Sequence, residues 1–273
     1  MFLDIGGFEF NTLLIAFLVT LGAGLATGIG SILAFYRKKT DEKFLSAALG
    51  FSAGVMIYVS FVEIFPKAVD SLGGNRSAYF FTTLAFFIGI AIIALIDKLV
   101  PSEENPHEIR DVKDLSSEDT KKSLMRMGVF SALAIAIHNF PEGLATFMAM
   151  LESPALGISI AVAIAIHNIP EGIAVSVPIY YATGNKKKSL MYSFLSGLSE
   201  PVGAIVGYLL IVLIFGQSDT MMGLTFAAVA GIMVYISLDE LLPTAEKYGE
   251  HHIAIYGLIA GMVVMASSLV LFA

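Results

Sequence analysis

The chain is built of apolar runs, each closed by a short polar break. A helix needs roughly 20 mostly apolar residues to cross the hydrocarbon core of a bilayer. Runs of that length predict eight helices, at about 10–36, 44–66, 77–99, 124–151, 155–183, 187–215, 221–245 and 253–272. The breaks read RKKTDEK, DSLGGNR, a long charged stretch from Pro101 to Lys122, ESP, TGNKKK, GQSDT and EKYGEHH. The pattern predicts an all-α integral membrane protein, one transmembrane domain over residues 1–273 with a flexible loop at about 100–123. That loop is charged, Ser-containing and poor in apolar residues. The opening MFLDIGGFEF lacks the basic region of a secretory signal, so the first apolar run is expected to stay as a helix.

Composition strengthens this picture. Mean hydropathy is +0.80 and only 14% of residues are charged, against about 25% in a soluble domain. There is no cysteine, which excludes disulfides and thiolate metal sites. Lys and Arg favour the cytoplasmic side of a membrane. With the N-terminus outside, 14 of the 16 fall in or beside cytoplasmic breaks, leaving only Lys67 and Arg76 outside. The expectation is a multi-pass protein of the cell (inner or plasma) membrane with both termini extracytoplasmic.

Two internal repeats stand out. Helix 4 contains IAIHNFPEGLA and helix 5 contains IAIHNIPEGIA, with His138 and His167 29 residues apart. Ten residues lie between Glu142 and the turn at Glu152, or about 15 Å of helix. Thirteen lie between Pro154 and His167, or about 20 Å. Half a hydrocarbon core is about 15 Å, so both motifs are expected near the midplane, facing each other if the helices are neighbours. The second repeat joins AGVMIYVSFVEIFPKA in helix 2 to AGIMVYISLDELLPTA in helix 7, matching Glu63 to Glu240 and Pro66 to Pro243. These helices run in opposite directions, so the repeat is inverted, as in alternating-access transporters whose substrate sites lie at the midplane. Glu63 and the pair Asp239/Glu240 are candidates to guard opposite mouths of one path.

The chemistry sits in the helix 4 and helix 5 motifs. His138 and Glu142 are four apart and Asn139 and Glu142 three apart, so each pair shares a helix face. His167, Asn168 and Glu171 repeat the arrangement. Pro141 and Pro170 cannot donate to the carbonyls of Ile137 and Ile166, which leaves acceptors beside the polar side chains. Helix 6 adds Glu200 in GLSEP. A buried ionised carboxylate costs several kcal/mol unless paired, and no Lys or Arg lies at that depth in any helix. The counter-charge must therefore be a proton or a metal cation. Imidazole, carboxylate and amide oxygen suit Zn²⁺, Fe²⁺, Mn²⁺ or Co²⁺ rather than Cu⁺. The ligand count could serve two ions sharing Glu142 and Glu171. A metal-free cluster is expected to hold protons that metal binding expels. The alternative is a buried polar knot between helices, against which stand seven such residues in two duplicated motifs and a third helix. His107, His251 and His252 read as solvated loop residues rather than ligands. Gly24/Gly28, Gly50/Gly54, Gly203/Gly207 and Gly257/Gly261 are small-xxx-small pairs suited to close helix approach, one of them a candidate dimer contact.

At HNFPEG, HNIPEG and GLSEP the sequence closely resembles the ZIP (ZRT/IRT-like) divalent metal transporters, in their bacterial ZupT-like branch. The resemblance covers essentially the whole chain. It implies uptake of Zn²⁺ into the cytoplasm, with Fe²⁺, Mn²⁺, Co²⁺ and Cd²⁺ as further cargo, a homodimer, and a binuclear site. By motif position, one metal would take Glu142, His167 and Glu171 with His138 close by. The other would take Asn139, Glu142, Asn168, Glu171 and Glu200. The loop between helices 3 and 4 is thin in histidine where some relatives are rich, which argues against metal sensing there. Two competing readings are an intramembrane metalloenzyme, for which there is neither HExxH nor a Ser–His pair, and a metal exporter, which shares the ligands but not the direction.

Overall fold

In the computed structural model, residues 4–5, 8–36, 42–99, 117–216, 218–248 and 251–272 are described. Eight helices are long and apolar enough to cross a membrane. They are α1 (Phe10–Phe35), α2 (Lys43–Ser71), α3 (Arg76–Lys98), α4 (Leu124–Glu152), α5 (Pro154–Thr183), α6 (Lys186–Leu210), α7 (Asp219–Lys247) and α8 (His251–Leu271). A two-residue antiparallel pair, β1 (Asp4–Ile5) with β2 (Phe8–Glu9), precedes α1. Helix is the expected solution because lipid offers a backbone amide no partner.

Boundaries differ from expectation at two places. Helix 2 was expected to end near Pro66 but continues to Ser71, because the chain absorbs the proline in a widened turn. Residues Ser60–Ile64 are π-helical, and the Phe65 amide donates to the Ser60 carbonyl five residues back. Pro66 has no N–H for the Val62 carbonyl and its ring crowds it; the wider turn relieves both. Helix 4 starts earlier than expected, with helical backbone from Ser117. Residues 117–123 hold no Gly or Pro, so an established helix extends through them at little cost. The remainder of the expected loop, with His107, lies outside the described residues.

The inverted repeat is visible in the packing. Residues Ser237–Leu241 of α7 form a second π-turn, closed by the Leu242 amide on the Ser237 carbonyl. It lies at the position matching Ser60–Ile64, before Pro243. In both, the serine hydroxyl bonds the carbonyl one turn back, Ser60 to Met56 and Ser237 to Met233, each at 2.7 Å. Glycine contacts extend the correspondence to every helix. Gly54 of α2 abuts the Leu258 carbonyl of α8, and its mate Gly231 of α7 abuts the Phe86 carbonyl of α3. Gly30 of α1 abuts Ile169 of α5, and Gly203 of α6 abuts Phe140 of α4. Gly24 and Gly197 abut each other's carbonyls, which marks the pseudo-twofold axis between α1 and α6.

The four glycine pairs are therefore consumed inside the chain. Gly50/Gly54 and Gly257/Gly261 join α2 to α8, Gly203/Gly207 face α4, and Gly24/Gly28 face α6. None of them is left for a dimer contact. Large apolar side chains such as Phe80, Phe81, Leu84 and Phe87 line the exposed side of α3. α5 is the most enclosed helix, and it carries three of the seven candidate site residues, His167, Asn168 and Glu171.

Candidate functional site

α4 and α5 pack side by side and remain helical through Pro141 and Pro170. Their neighbours are let in by the glycine that closes each motif. A Cβ at Gly143 would strike the Glu200 carbonyl of α6, and one at Gly172 the Thr27 carbonyl of α1. Each HNxPEG motif thus supplies polar side chains and the gap through which a further helix reaches them.

His138, Asn139, Glu142, His167, Asn168, Glu171 and Glu200 are all buried, none more than 1% exposed. The structure brings the two motifs together by exchange. His138 Nε2 lies 3.1 Å from Glu171 Oε2, and His167 Nε2 lies 3.2 Å from Glu142 Oε2. Each histidine pairs with the carboxylate of the other helix rather than with the one four residues along its own. Asn168 donates to Glu200 Oε1 and, at 3.0 Å, to the Ala23 carbonyl of α1. Among the described residues no three His, Asp or Glu side chains enclose an ion position as they stand; the pairs are closed on each other.

Those pairs leave much unsatisfied. His138 Nδ1, both amide atoms of Asn139, Glu142 Oε1, His167 Nδ1, Asn168 Oδ1 and Glu200 Oε2 are buried without a hydrogen-bond partner. A buried polar atom left so costs about 1–3 kcal/mol. Six of the seven candidate side chains therefore carry such an atom. The exception is Glu171, whose Oε2 meets His138 and whose Oε1 accepts from Ser52 Oγ of α2 at 3.1 Å. Ser52 is absent from the sequence-based candidates. Nothing marks one serine among small residues of a packed helix.

The outlying acids divide. Glu240 Oε2 comes within 3.8 Å of His138 Nδ1, beyond hydrogen-bond reach but next to the cluster. Asp239 lies beside Tyr235, near Asp97 of α3. Glu63 is half-buried near Lys67, whose ammonium bridges Glu152 at 3.0 Å across the ends of α2 and α4. His251 and His252 are exposed, with His251 Nδ1 2.6 Å from Glu246 Oε1.

The model of the family described as ZIP zinc transporter matches residues 98–268. A zinc transporter ZupT of Clostridium perfringens is 63% identical over 284 residues, covering 98% of this chain and 99% of that protein. One from Chlorobaculum parvum is 63% identical over 267 residues, with 96% and 99% covered. One from Streptococcus mutans is 60% identical over 260 residues, with 94% and 97% covered. The chain belongs to the ZIP zinc transporter family, a family of transporters and not of enzymes.

Proposed function

We propose that the chain carries Zn²⁺ into the cytoplasm, with Fe²⁺, Mn²⁺, Co²⁺ and Cd²⁺ as further cargo, through the His/Asn/Glu cluster between α4, α5 and α6. The observation that carries this reading is the set of orphaned donor and acceptor atoms on six side chains of one buried cluster. No Lys or Arg occurs between Arg126 and Lys186 or between Lys188 and Lys247, so the three carboxylates have no Lys or Arg counter-charge at that depth in α4, α5 or α6. The names of the relatives agree with zinc as cargo.

The spacing suits the ion. Zinc binds imidazole nitrogen and carboxylate oxygen at about 2.0–2.2 Å, so two such ligands on a tetrahedral ion sit about 3.4 Å apart. The His–Glu pairs, at 3.1 and 3.2 Å, need open only by a few tenths of an ångström. The proton each pair shares leaves when a metal takes its place. Two ions would then share Glu142 and Glu171, one on the histidine side and one beside Asn139, Asn168 and Glu200. The cytoplasmic excess of Lys and Arg supports extracytoplasmic termini. The family resemblance supports a homodimer, whose contact would lie away from the glycine seams.

Metal-resolved uptake into proteoliposomes tests the cargo, and the sign of the cellular zinc change on expression separates uptake from export. Wild-type protein is expected to fill vesicles with zinc and to raise cell zinc; a fall in cell zinc would make it an exporter. Amide oxygen is harder than imidazole. Asn139→Ala and Glu200→Ala are therefore expected to lower iron and manganese uptake about tenfold more than zinc uptake. Equal losses across metals in competition would argue against two distinct positions.

Glu63 is proposed to guard the outer end of the path, and Glu240 to line it beside His138 rather than at the inner mouth; in both places acidic side chains concentrate cations. Glu63→Gln is expected to slow flux several-fold with equilibrium zinc binding unchanged. Glu240→Gln should slow it and also weaken binding slightly, since Glu240 neighbours His138. Unchanged flux in both would reduce the pair to ordinary helix carboxylates.

A further inference from the structure

The pseudo-twofold relates Glu142 to Glu171, yet their surroundings are unequal. Both offer Oε2 to the histidine of the opposite helix. Glu171 Oε1 is held by Ser52, while Glu142 Oε1 has no hydrogen-bond partner. The inequality traces to one position of the repeat. Where α2 has Ser52, the matching position of α7 has Val229, which is buried and has no hydroxyl to give.

Ser52 is itself fully enclosed. Its hydroxyl has one proton and two acceptors in range, Glu171 Oε1 at 3.1 Å and the His167 carbonyl at 3.4 Å. The backbone carrying it is held two residues on, where Gly54 abuts α8. The donor is fixed in place and cannot turn to water.

We propose that Ser52 is a positioning residue for metal capture: it pins Glu171 by Oε1 and so fixes the aim of Oε2 toward the ions, leaving Glu142 the freer of the two shared carboxylates. The inference rests on Glu171 being a metal ligand. A hydroxyl that orients a ligand acts mainly on affinity, and loss of such an outer partner typically costs 10–100-fold in metal binding.

The test is zinc uptake by proteoliposomes holding Ser52→Ala, Ser52→Thr or Glu171→Ala protein, with KM and maximal rate resolved. Ser52→Ala is expected to raise KM about tenfold with the maximal rate within about twofold of wild type. Ser52→Thr, which keeps the hydroxyl, is expected to restore most of the KM. A KM for Ser52→Ala within twofold of wild type overturns the proposal. So does a shift that threonine does not reverse, or a fall in maximal rate alone, since either assigns Ser52 to packing. Wild-type uptake by Glu171→Ala overturns the ligand reading and this inference with it. Loss of uptake in Glu171→Ala beside an unchanged Ser52→Ala overturns the inference alone.

Discussion

Replacing Glu142 or Glu171 by alanine is expected to lower uptake of every metal by roughly 100-fold or more, without selectivity. Each is the only anion in its motif, and each sits between the two proposed ion positions. Each also accepts from the histidine of the other helix, at 3.2 Å for Glu142 and 3.1 Å for Glu171. Losing either carboxylate removes a shared ligand and strands an imidazole in a site with no water-facing side. A change confined to affinity for one metal would place the carboxylate at one ion only. Uptake of zinc, iron and manganese by each mutant, measured separately, decides it. Zinc uptake at the wild-type rate by either would remove that residue from the site.

Gly172→Ala is expected to be as damaging for a different reason. The added methyl would run into the Thr27 carbonyl of α1, and that obstacle is backbone that cannot rotate aside. Overpacking of a tight interior costs about 1–3 kcal/mol, occasionally more. Here the strain falls where α1 meets α5, one residue from Glu171. Gly143→Ala, against the Glu200 carbonyl, should behave alike. Both are expected to lower the thermal midpoint of purified protein by several degrees and to abolish uptake. Gly22→Ala is the control, because nothing lies within 4 Å of its added methyl. A Gly172→Ala protein with wild-type midpoint and uptake would show that α1 and α5 are looser than they stand.

Apolar runs and breaks revealed the eight spans, because bilayer thickness sets one length for all of them. They could not reveal that helix 2 passes through Pro66, since a proline marks a helix end in most contexts. The π-turn that carries the chain past it depends on the fold. HNFPEG and HNIPEG made the cluster legible by being duplicated. Their spacing pointed to His138 and Glu142 on one face, and in the structure the pairing runs across helices, which only the contact of α4 with α5 decides. Ser52 was invisible for the same reason: its significance is a partner 119 residues away. Glu240 read as a remote mouth residue, and its approach to His138 depends on where the π-turn aims it.

The matched π-turns also act as paired phase shifts. A residue advances an α-helix by about 100°, so a turn closed five residues back instead of four offsets the faces of the helix on its two sides. Residues 60–64 and 237–241 place that offset at the same point of two segments that run oppositely through the membrane, each ahead of its proline. The two halves therefore change face in step.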